Sequence, residues 1–157
     1  MDLTFKTEHG RFNYRVGAII IRDNHLLMVK NEKAPYYYSV GGRVKFGESS
    51  EAAVLREIKE ELGVDATIER AVFLNESFFT EQISGENFHE VSMYYLVNLP
   101  ETEKDFECLS ITENGAKESL HWLDIASLKE VQAYPEFLAS ELPNLPTSLK
   151  YLVERQG

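Results

Sequence analysis

Apolar runs separated by polar turns predict three strands in the first forty residues. Two aliphatic runs, at 14–21 and 26–29, flank the polar pair Asp23 and Asn24. Because Asp and Asn tolerate the backbone dihedrals of a tight turn, the pattern predicts a hairpin of two buried strands. A third short strand is predicted at 36–40, and the glycines Gly41 and Gly42 that follow end it.

The stretch 49–62 has the periodicity of an amphipathic helix. Leu55, Ile58 and Leu62 recur at i, i+3 and i+7, which places them on one apolar face. Ser49 is suited to cap the N-terminus of this helix, and Gly63 is suited to end it. The sequence therefore predicts a helix with both of its ends marked.

The rest of the chain predicts more strands and short helices. The apolar runs at 66–79 and 88–98, joined by polar turn residues, predict a long antiparallel pair. The acidic segment 100–117 has few apolar residues and is predicted to be a surface loop. The remaining predicted elements are one strand and two helical pieces, at 119–123, 125–131 and 134–142.

This order of elements predicts an α/β (α+β) fold with a mixed sheet covered by helices on its faces. The 157 residues are the length of one domain, and we expect a single domain over 1–157. A chain of this size buries roughly 70% of its unfolded surface, so it needs no disulfide staples. The composition, 43% hydrophobic and 27% charged, is that of a folded globular protein.

Charge and composition exclude several classes of function. The net charge of −10, from 16 basic and 26 acidic residues, repels nucleic-acid backbones, so we expect no stable nucleic-acid complex. No apolar run approaches the roughly 20 residues that span a bilayer, which predicts no membrane segment. The N-terminal residues lack the apolar core of a signal peptide, and the single cysteine, Cys108, has no partner for an internal disulfide. We therefore expect a cytoplasmic location. We also expect no catalytic thiol, because Cys108 lies in the acidic segment without a recognisable catalytic partner.

Three glutamates share one side of the predicted helix. With about 100° per residue, Glu60 and Glu61 lie near −60° and +40° from Glu57, away from the predicted apolar face. Such like charges destabilise a helix by about 0.2–0.5 kcal/mol per pair, and a divalent cation would convert this repulsion into binding energy. All-oxygen ligation favours Mg²⁺ or Mn²⁺. Taken alone, however, the cluster is more often only a solvated face.

The residues around the cluster strengthen the case for metal. Nine positions, with fixed spacing from Gly42 to Val64, reproduce the Nudix box, and a chance match in this chain is on the order of one in a hundred million. The chain thus resembles the Nudix hydrolases (MutT-like). The box positions are Gly42, Glu48, Arg56, Glu57, Ile58, Glu60, Glu61, Gly63 and Val64.

The resemblance implies a Nudix-type α/β/α sandwich and a reaction. The reaction is metal-dependent hydrolysis of a phosphoanhydride in a nucleoside diphosphate linked to another group. The cofactor implied is Mg²⁺, with Mn²⁺ as the alternative, and the partner is a small nucleotide substrate. Glu57, Glu60 and Glu61 match the family's metal-binding glutamates, and Glu48 is a secondary metal candidate. Arg56 matches the arginine that orients a glutamate by a charge-assisted hydrogen bond.

The sequence leaves more than one candidate for the catalytic base. The catalytic candidates in the box are Glu57 and Glu60, supported by Arg56. Outside the box, Glu90 is the catalytic candidate, and Glu76 is a further one. Each of these last two sits near the end of a predicted strand, where a solvated glutamate is the plain alternative.

Candidate substrate-binding residues lie close to the box and at the strand ends. Gly41 and Gly42 let the backbone approach the substrate or the helix, which side chains would block. Arg43 is the preferred phosphate contact, over Arg11, Arg15 and Lys45. Tyr38 and Phe79 are candidates for stacking on a nucleobase, with core packing as the alternative for each.

Two other functions are compatible with the same residues. One is a Nudix-like domain that senses a nucleotide without hydrolysing it, although a sensor has no need of the complete acidic set. The other is a protein-interaction domain that uses the acidic loop 100–117, which rests on charge alone. Edge strands and the N-terminal segment also allow a homodimer.

Overall fold

A computed structural model describes residues 1–101 and 117–156 of the chain. Its helices are α1 (Ser50–Leu62) and α2 (Phe137–Glu141), with short 3₁₀ helices at Ile125–Glu130 and Leu142–Asn144. Its strands are β1 (Thr4–Thr7), β2 (Gly10–Ile19), β3 (Ile21–Arg22), β4 (His25–Asn31), β5 (Tyr37–Arg43), β6 (Thr67–Thr80), β7 (Asn87–Asn98), β8 (Glu118–Asp124), β9 (Ala133–Tyr134) and β10 (Lys150–Arg155).

The described strands form one mixed sheet. Its central path runs β10-β6-β7-β2-β5-β4-β3, while β1 pairs with β2, β8 with β4 and β9 with β5. Three pairs are parallel, β10 with β6, β2 with β7 and β5 with β9, and the other pairs are antiparallel. The strands β2 and β5 therefore lie inside the sheet, next to the segment that leads into α1.

Helices cover both faces of this sheet. Ala53, Val54 and Ile58 of α1 are fully buried in a core cluster with β-strand residues such as Val16 and Val40. On the other face, a second cluster buries strand residues against the C-terminal helices, which contribute Leu128, Phe137, Leu138 and Leu142. Burial of apolar side chains on both faces stabilises the layered arrangement. The predicted mixed sheet between helical layers is confirmed.

Several predicted elements are confirmed with small shifts. Asp23 and Asn24 form the turn of the first hairpin with φ of 50° and 60°, the left-handed region that Asp and Asn tolerate. The strands β6 and β7 form the long antiparallel pair that the sequence predicted. The helical prediction at 134–142 was too long, because α2 covers only Phe137–Glu141. The predicted helix at 125–131 is a 3₁₀ helix, Ile125–Glu130.

The sequence analysis missed β1 and β10, which form edges of the sheet. The apolar residues of β10 do not form a buried face that a sequence pattern could mark, because Tyr151 and Val153 are exposed at 58% and 48%. The predicted acidic loop and Cys108 lie almost wholly outside the described residues. Among the residues described, no helix is long and apolar enough to cross a membrane.

Candidate active site

The helix α1 carries the acidic residues of the box, and its ends are fixed locally. Ser49 caps the N-terminus, since its Oγ accepts a hydrogen bond of 3.1 Å from the Ala52 N–H. Gly63 ends the helix with φ of 73° and donates its N–H to the Lys59 carbonyl. Both predicted caps are confirmed, and they fix where α1 begins and ends.

The packing face of α1 is rotated from the one predicted. Ala53, Val54 and Ile58 are buried, whereas Leu55 and Leu62 are only half-buried. These buried residues lie at about −40°, 60° and 100° from Glu57 at 100° per residue, so Glu57 and Glu61 fall inside the buried arc. The expectation that the acidic side lies away from the core was wrong. Two of its carboxylates point toward the protein.

Small residues on both elements allow this close contact between α1 and β5. A Cβ added to Gly42 would lie 2.4 Å from Glu57 Oε1, and one added to Gly41 would lie 2.0 Å from the Val16 carbonyl oxygen. Both distances are shorter than any real Cβ contact, so the two glycines leave space for the Glu57 carboxylate and the neighbouring strand. The double glycine thus shapes the wall against which the acidic residues lie.

Arg56 holds this cluster together. Its Nε and Nη2 donate to the two carboxylate oxygens of Glu48 at 2.7 and 3.0 Å, a bidentate pair. Its Nη1 donates to Glu57 Oε1 at 3.0 Å and lies 3.3 Å from Glu60 Oε2, and Nη2 donates to the Arg43 carbonyl at 3.1 Å. The guanidinium therefore joins three glutamates of the box to the end of β5.

The pKa values of these carboxyls diverge although they share one cluster. The hydrogen bond from Arg56 lowers the pKa of Glu48 to about 2. Burial raises the pKa of Glu57 against the opposing effect of Arg56. Burial, together with the negative charge of Glu57, raises the pKa of Glu61 to about 8, although Arg15 and the Gly41 N–H oppose this. Carboxyls with such different environments are suited to different chemical roles.

Glu61 also carries a buried oxygen without a partner. Its Oε2 is shielded from solvent and receives no hydrogen bond, while the Glu57 carboxylate lies near it on the previous turn. A buried carboxylate oxygen without a donor is costly, and a bound cation would remove that cost. Glu61 is therefore the residue of the cluster whose environment fits a metal best.

The donor set fits a hard divalent cation, although its ligands are not gathered in advance. Among residues 1–101 and 117–156, no three acidic, histidine or cysteine side chains are close enough to form a ready-made metal site. Arg56 occupies both oxygens of Glu48 and one of Glu57, and the Glu60 side chain is 54% exposed. Glu57 and Glu61 have oxygens that Arg56 does not engage, and oxygen is the ligand that Mg²⁺ and Mn²⁺ prefer.

Two arginines lie beside the acidic cluster. Arg43, at the end of β5, pairs in register with Arg15 of β2, and its buried Nε has no hydrogen-bond partner. The charge of Arg15 acts on both Glu57 and Glu61, opposing the rise that burial causes in the pKa of each. Cations next to a metal-binding cluster are suited to contact an anionic substrate.

Other predicted site residues lie farther away. Tyr38 donates a hydrogen bond to Glu118 and precedes Gly42 by four strand residues, about 13 Å along β5. Phe79 stacks on Phe88 at 5.1 Å between ring centroids, at the end of the β6–β7 pair. The structure therefore does not bring these two aromatic residues next to the helix glutamates.

Glu90 and Glu76 are also separate from the α1 cluster. The Glu90 Oε2 accepts a hydrogen bond of 2.7 Å from Asn13, its register partner on β2. Along β2, Val16 and Ala18 belong to the core under α1, so by alternation Asn13 and its partner Glu90 face the other side of the sheet. Glu76 accepts a hydrogen bond from Tyr151 on the edge strand.

Sequence reasoning missed a group of buried polar residues. Asn13, Asn75 and Ser92 are exposed at only 1%, 2% and 4%. Asn13 and Ser92 each stand between apolar or aromatic neighbours along the strand, whereas Asn75 is followed by Glu76 and Ser77, and no local motif indicates that the three are buried. The signal is the register of β2, β6 and β7, which brings the three together.

Comparisons with known proteins agree with the box. A family model described as NUDIX domain matches residues 11–141. The ADP-ribose pyrophosphatase of Methanocaldococcus jannaschii is 33% identical over 113 residues, which cover 59% of this chain and 67% of that protein. A nudix hydrolase of Caenorhabditis elegans is 29% identical over 77% of this chain, but the match spans only 31% of the nematode protein.

A solved structure agrees in fold and in sequence. The crystal structure of a MutT NUDIX hydrolase from Burkholderia pseudomallei superposes with a TM-score of 0.58 and 30% identity. The superposition covers 82% of this chain and 95% of that one. The family match, the box on α1 and the layered sheet lead to one conclusion. The chain belongs to the NUDIX domain family.

Proposed function

We propose that this protein is a divalent-metal-dependent hydrolase that cleaves a phosphoanhydride bond in a nucleoside diphosphate derivative. The Glu61 carboxyl carries the proposal, because it is buried beside Glu57 with one oxygen unpartnered. A solvated acidic face would instead leave every carboxylate in water. The ADP-ribose pyrophosphatase relative supports a substrate in which two phosphates join two groups.

We assign the metal to Glu57, Glu60 and Glu61, with Mg²⁺ as the first choice and Mn²⁺ as the alternative. A bound cation would neutralise charge on the diphosphate and lower the pKa of a water molecule. Glu48 serves the cation indirectly, since both of its oxygens are held by Arg56. Arg43 and Arg15 contact phosphate oxygens, and so they counter the repulsion between an anionic substrate and a protein of net charge −10.

Glu57 is the proposed general base. Burial raises the pKa of its carboxyl, which makes it a better proton acceptor near neutral pH than a solvated glutamate. Glu90 is less well placed for this step, because it lies outside the α1 cluster and its Oε2 already accepts a hydrogen bond from Asn13.

The experiment is a substrate panel of nucleoside triphosphates, nucleotide sugars and dinucleotides, assayed with Mg²⁺. Release of a nucleoside monophosphate or of phosphate is measured, and isotope-labelled water identifies which phosphorus is attacked. We expect hydrolysis of at least one member that stops when EDTA is added. The matched variants are Glu61→Gln and Glu51→Gln, the second an exposed glutamate of the first helical turn.

The same panel separates a hydrolase from a nucleotide sensor. A hydrolase loses turnover in Glu61→Gln and keeps it in Glu51→Gln. Tight nucleotide binding without turnover across the whole panel would instead establish the sensor and refute the proposed reaction.

A further inference from the structure

Residues 1–3, which precede β1, lie against the loop that joins β5 to α1. Asp2 forms an isolated antiparallel bridge with Lys45 of this loop. Next to the bridge, the Leu3 N–H donates a hydrogen bond of 2.8 Å to the Val44 carbonyl. These contacts attach the N-terminal segment to the part of the chain that leads from the double glycine to the helix.

Three backbone hydrogen bonds link Leu3, Val44 and Tyr14 of β2 in a closed ring. The Leu3 N–H donates to Val44, the Val44 N–H donates to the Tyr14 carbonyl at 3.0 Å, and the Tyr14 N–H donates to the Leu3 carbonyl at 3.0 Å. Val44 is fully buried, and hydrogen bonds away from water are electrostatically stronger. The ring therefore holds the loop firmly against β2.

The ring fixes two successive peptide planes of the loop. The Arg43 carbonyl and the Val44 N–H belong to the first plane, and the Val44 carbonyl and the Lys45 N–H belong to the second. Both peptide bonds are trans. A trans peptide unit is planar, and its N–H and carbonyl point in opposite directions. When the ring holds one of these groups, it thereby sets the direction of the other.

Each plane extends from the ring to the acidic cluster. In the first plane, the group opposite the ring is the Arg43 carbonyl, which accepts from Arg56 Nη2 at 3.1 Å. In the second plane, the carbonyl that Leu3 holds lies opposite the Lys45 N–H, which donates to Glu48 Oε1 at 3.0 Å. Arg56 Nη2 donates to the same Oε1 at 3.0 Å. The two planes therefore position both the Arg56 guanidinium and its carboxylate partner.

The Leu3 N–H holds the second of these planes. Without it, the buried Val44 carbonyl loses this donor, and an unsatisfied buried acceptor favours rotation of the peptide toward another partner. That rotation turns the Lys45 N–H away from Glu48. The bidentate pair between Glu48 and Arg56 then loses one of the hydrogen bonds that keep its carboxylate in place.

We propose that Leu3 is a positioning residue, whose backbone N–H holds Glu48 and Arg56 in the arrangement that orients Glu57. Leu3 acts only through the peptide between Val44 and Lys45. The effect on catalysis rests on the proposed function, whereas the effect on Arg56 rests on the hydrogen bonds alone.

The test is the rate at which the Arg56 Nε–H exchanges with solvent, measured by NMR on the whole protein without substrate. This hydrogen is bonded to Glu48 Oε2 at 2.7 Å, and its signal is identified by its absence in Arg56→Lys. Leu3→Pro has no N–H at position 3. We expect exchange in this variant to be about tenfold faster, the effect of losing one hydrogen bond.

Leu3→Ala is the matched control, because it removes the same side chain and keeps the N–H. It should leave the exchange of the Arg56 Nε–H within about twofold of the wild-type rate. The Gly63 N–H, bonded to the Lys59 carbonyl at the other end of α1, reports on the helix as a whole and should not change. If Leu3→Pro does not fold, the α-hydroxy acid analogue of leucine at position 3 replaces only the N–H, by an ester oxygen.

The two proline and alanine variants also differ in activity if the proposed reaction is correct. On the substrate found in the panel, we expect kcat of Leu3→Pro to be about tenfold below that of Leu3→Ala, the lower end of the effect of residues that orient metal ligands. Steady-state kinetics at saturating Mg²⁺ measures this ratio.

Faster exchange of the Arg56 Nε–H in Leu3→Pro or the ester, without change in Leu3→Ala or at the Gly63 N–H, supports the positioning role. Unchanged exchange overturns it, as does an equal effect in Leu3→Ala or at Gly63, because lost packing or general unfolding then explains the result. Equal kcat in the two variants also overturns it. A wild-type protein without turnover would refute the hydrolase alone, whereas turnover with unchanged exchange would refute the positioning role alone.

Discussion

Gly42 of β5 and Glu57 of α1 touch at a point where no side chain fits between them. A Cβ on Gly42 would lie 2.4 Å from Glu57 Oε1 and 2.5 Å from its carboxyl carbon. The two are fifteen positions apart in the sequence, yet they determine each other's environment. The glycine is required by the position of the carboxylate rather than by a turn.

The substitution Gly42→Ala tests this contact. The added methyl group must displace the Glu57 carboxylate, which also frees its bond to Arg56. If Glu57 is the general base, we expect kcat to fall by about 10²–10⁴-fold, the usual contribution of such a group. Steady-state kinetics on the substrate found in the panel would measure this.

Gly85→Ala is the control for that substitution. Gly85 has positive φ, but a Cβ there would meet nothing within 4 Å. It should lose about 1–2 kcal/mol of stability, the cost of a side chain in the left-handed conformation, and keep its kcat. Equal activity of the two variants would show that the Glu57 carboxylate has no part in the reaction.

Arg56→Lys tests whether one guanidinium arranges the cluster. A lysine keeps the charge but cannot make the bidentate pair with Glu48 while bonding Glu57 and the Arg43 carbonyl. We expect metal affinity or kcat to fall by about 10–100-fold, as for other residues that orient metal ligands. Mg²⁺ titration of activity separates the two effects. Unchanged kinetics would mean that the glutamates keep their positions without Arg56.

The helix shows how far the sequence could predict the site. Ser49, Gly63 and the nine box positions located α1 and its acidic residues, because capping and spacing are local properties. The packing face was wrong, because the prediction weighted the large residues Leu55 and Leu62. Small residues determine how closely α1 packs against β5. Ala53 and Val54 let the helix approach a strand that has glycines in place of side chains, and that closeness is set by tertiary structure.

The polar residues of the sheet mark the other limit of prediction from the sequence. Asn13, Asn75 and Glu154 lie far apart in the chain, and no motif indicates that they lie on neighbouring parts of one sheet. Their relation depends on the register of β2, β6, β7 and β10, and β10 itself was missed. A pattern with period two predicts which face a residue occupies but not which residue of another strand stands beside it.

Ser49→Ala isolates the contribution of the helix cap. The serine Oγ accepts from the Ala52 N–H, and its loss leaves that donor to water. We expect the free energy of unfolding to fall by about 1 kcal/mol, while the acidic cluster keeps its geometry. Urea unfolding measures the loss. A change well above this value would mean that the cap also holds the segment between Gly42 and the helix.

The raised pKa of Glu61 predicts that the stability of the metal-free protein falls as the pH rises. Burial raises the pKa of its carboxyl from the ordinary 4.5 to about 8, so the folded state binds the proton more tightly than the unfolded state. The stability that this proton provides is fully present below 4.5 and is lost as the pH rises toward 8. Urea unfolding in EDTA should therefore show a falling free energy of unfolding between about pH 5 and about pH 8.

Glu61→Gln should remove most of this slope, because glutamine stays neutral throughout the range. The variant should be the more stable protein at about pH 8 without metal, and the less able to bind Mg²⁺. Burial also raises the pKa of Glu57, so part of the slope should remain. Glu51→Gln, which alters an exposed glutamate in the first turn of the helix, should keep the wild-type slope. An unchanged slope in Glu61→Gln would show that the Glu61 carboxyl is not the group whose pKa burial raises. The metal assignment would then lose its main support.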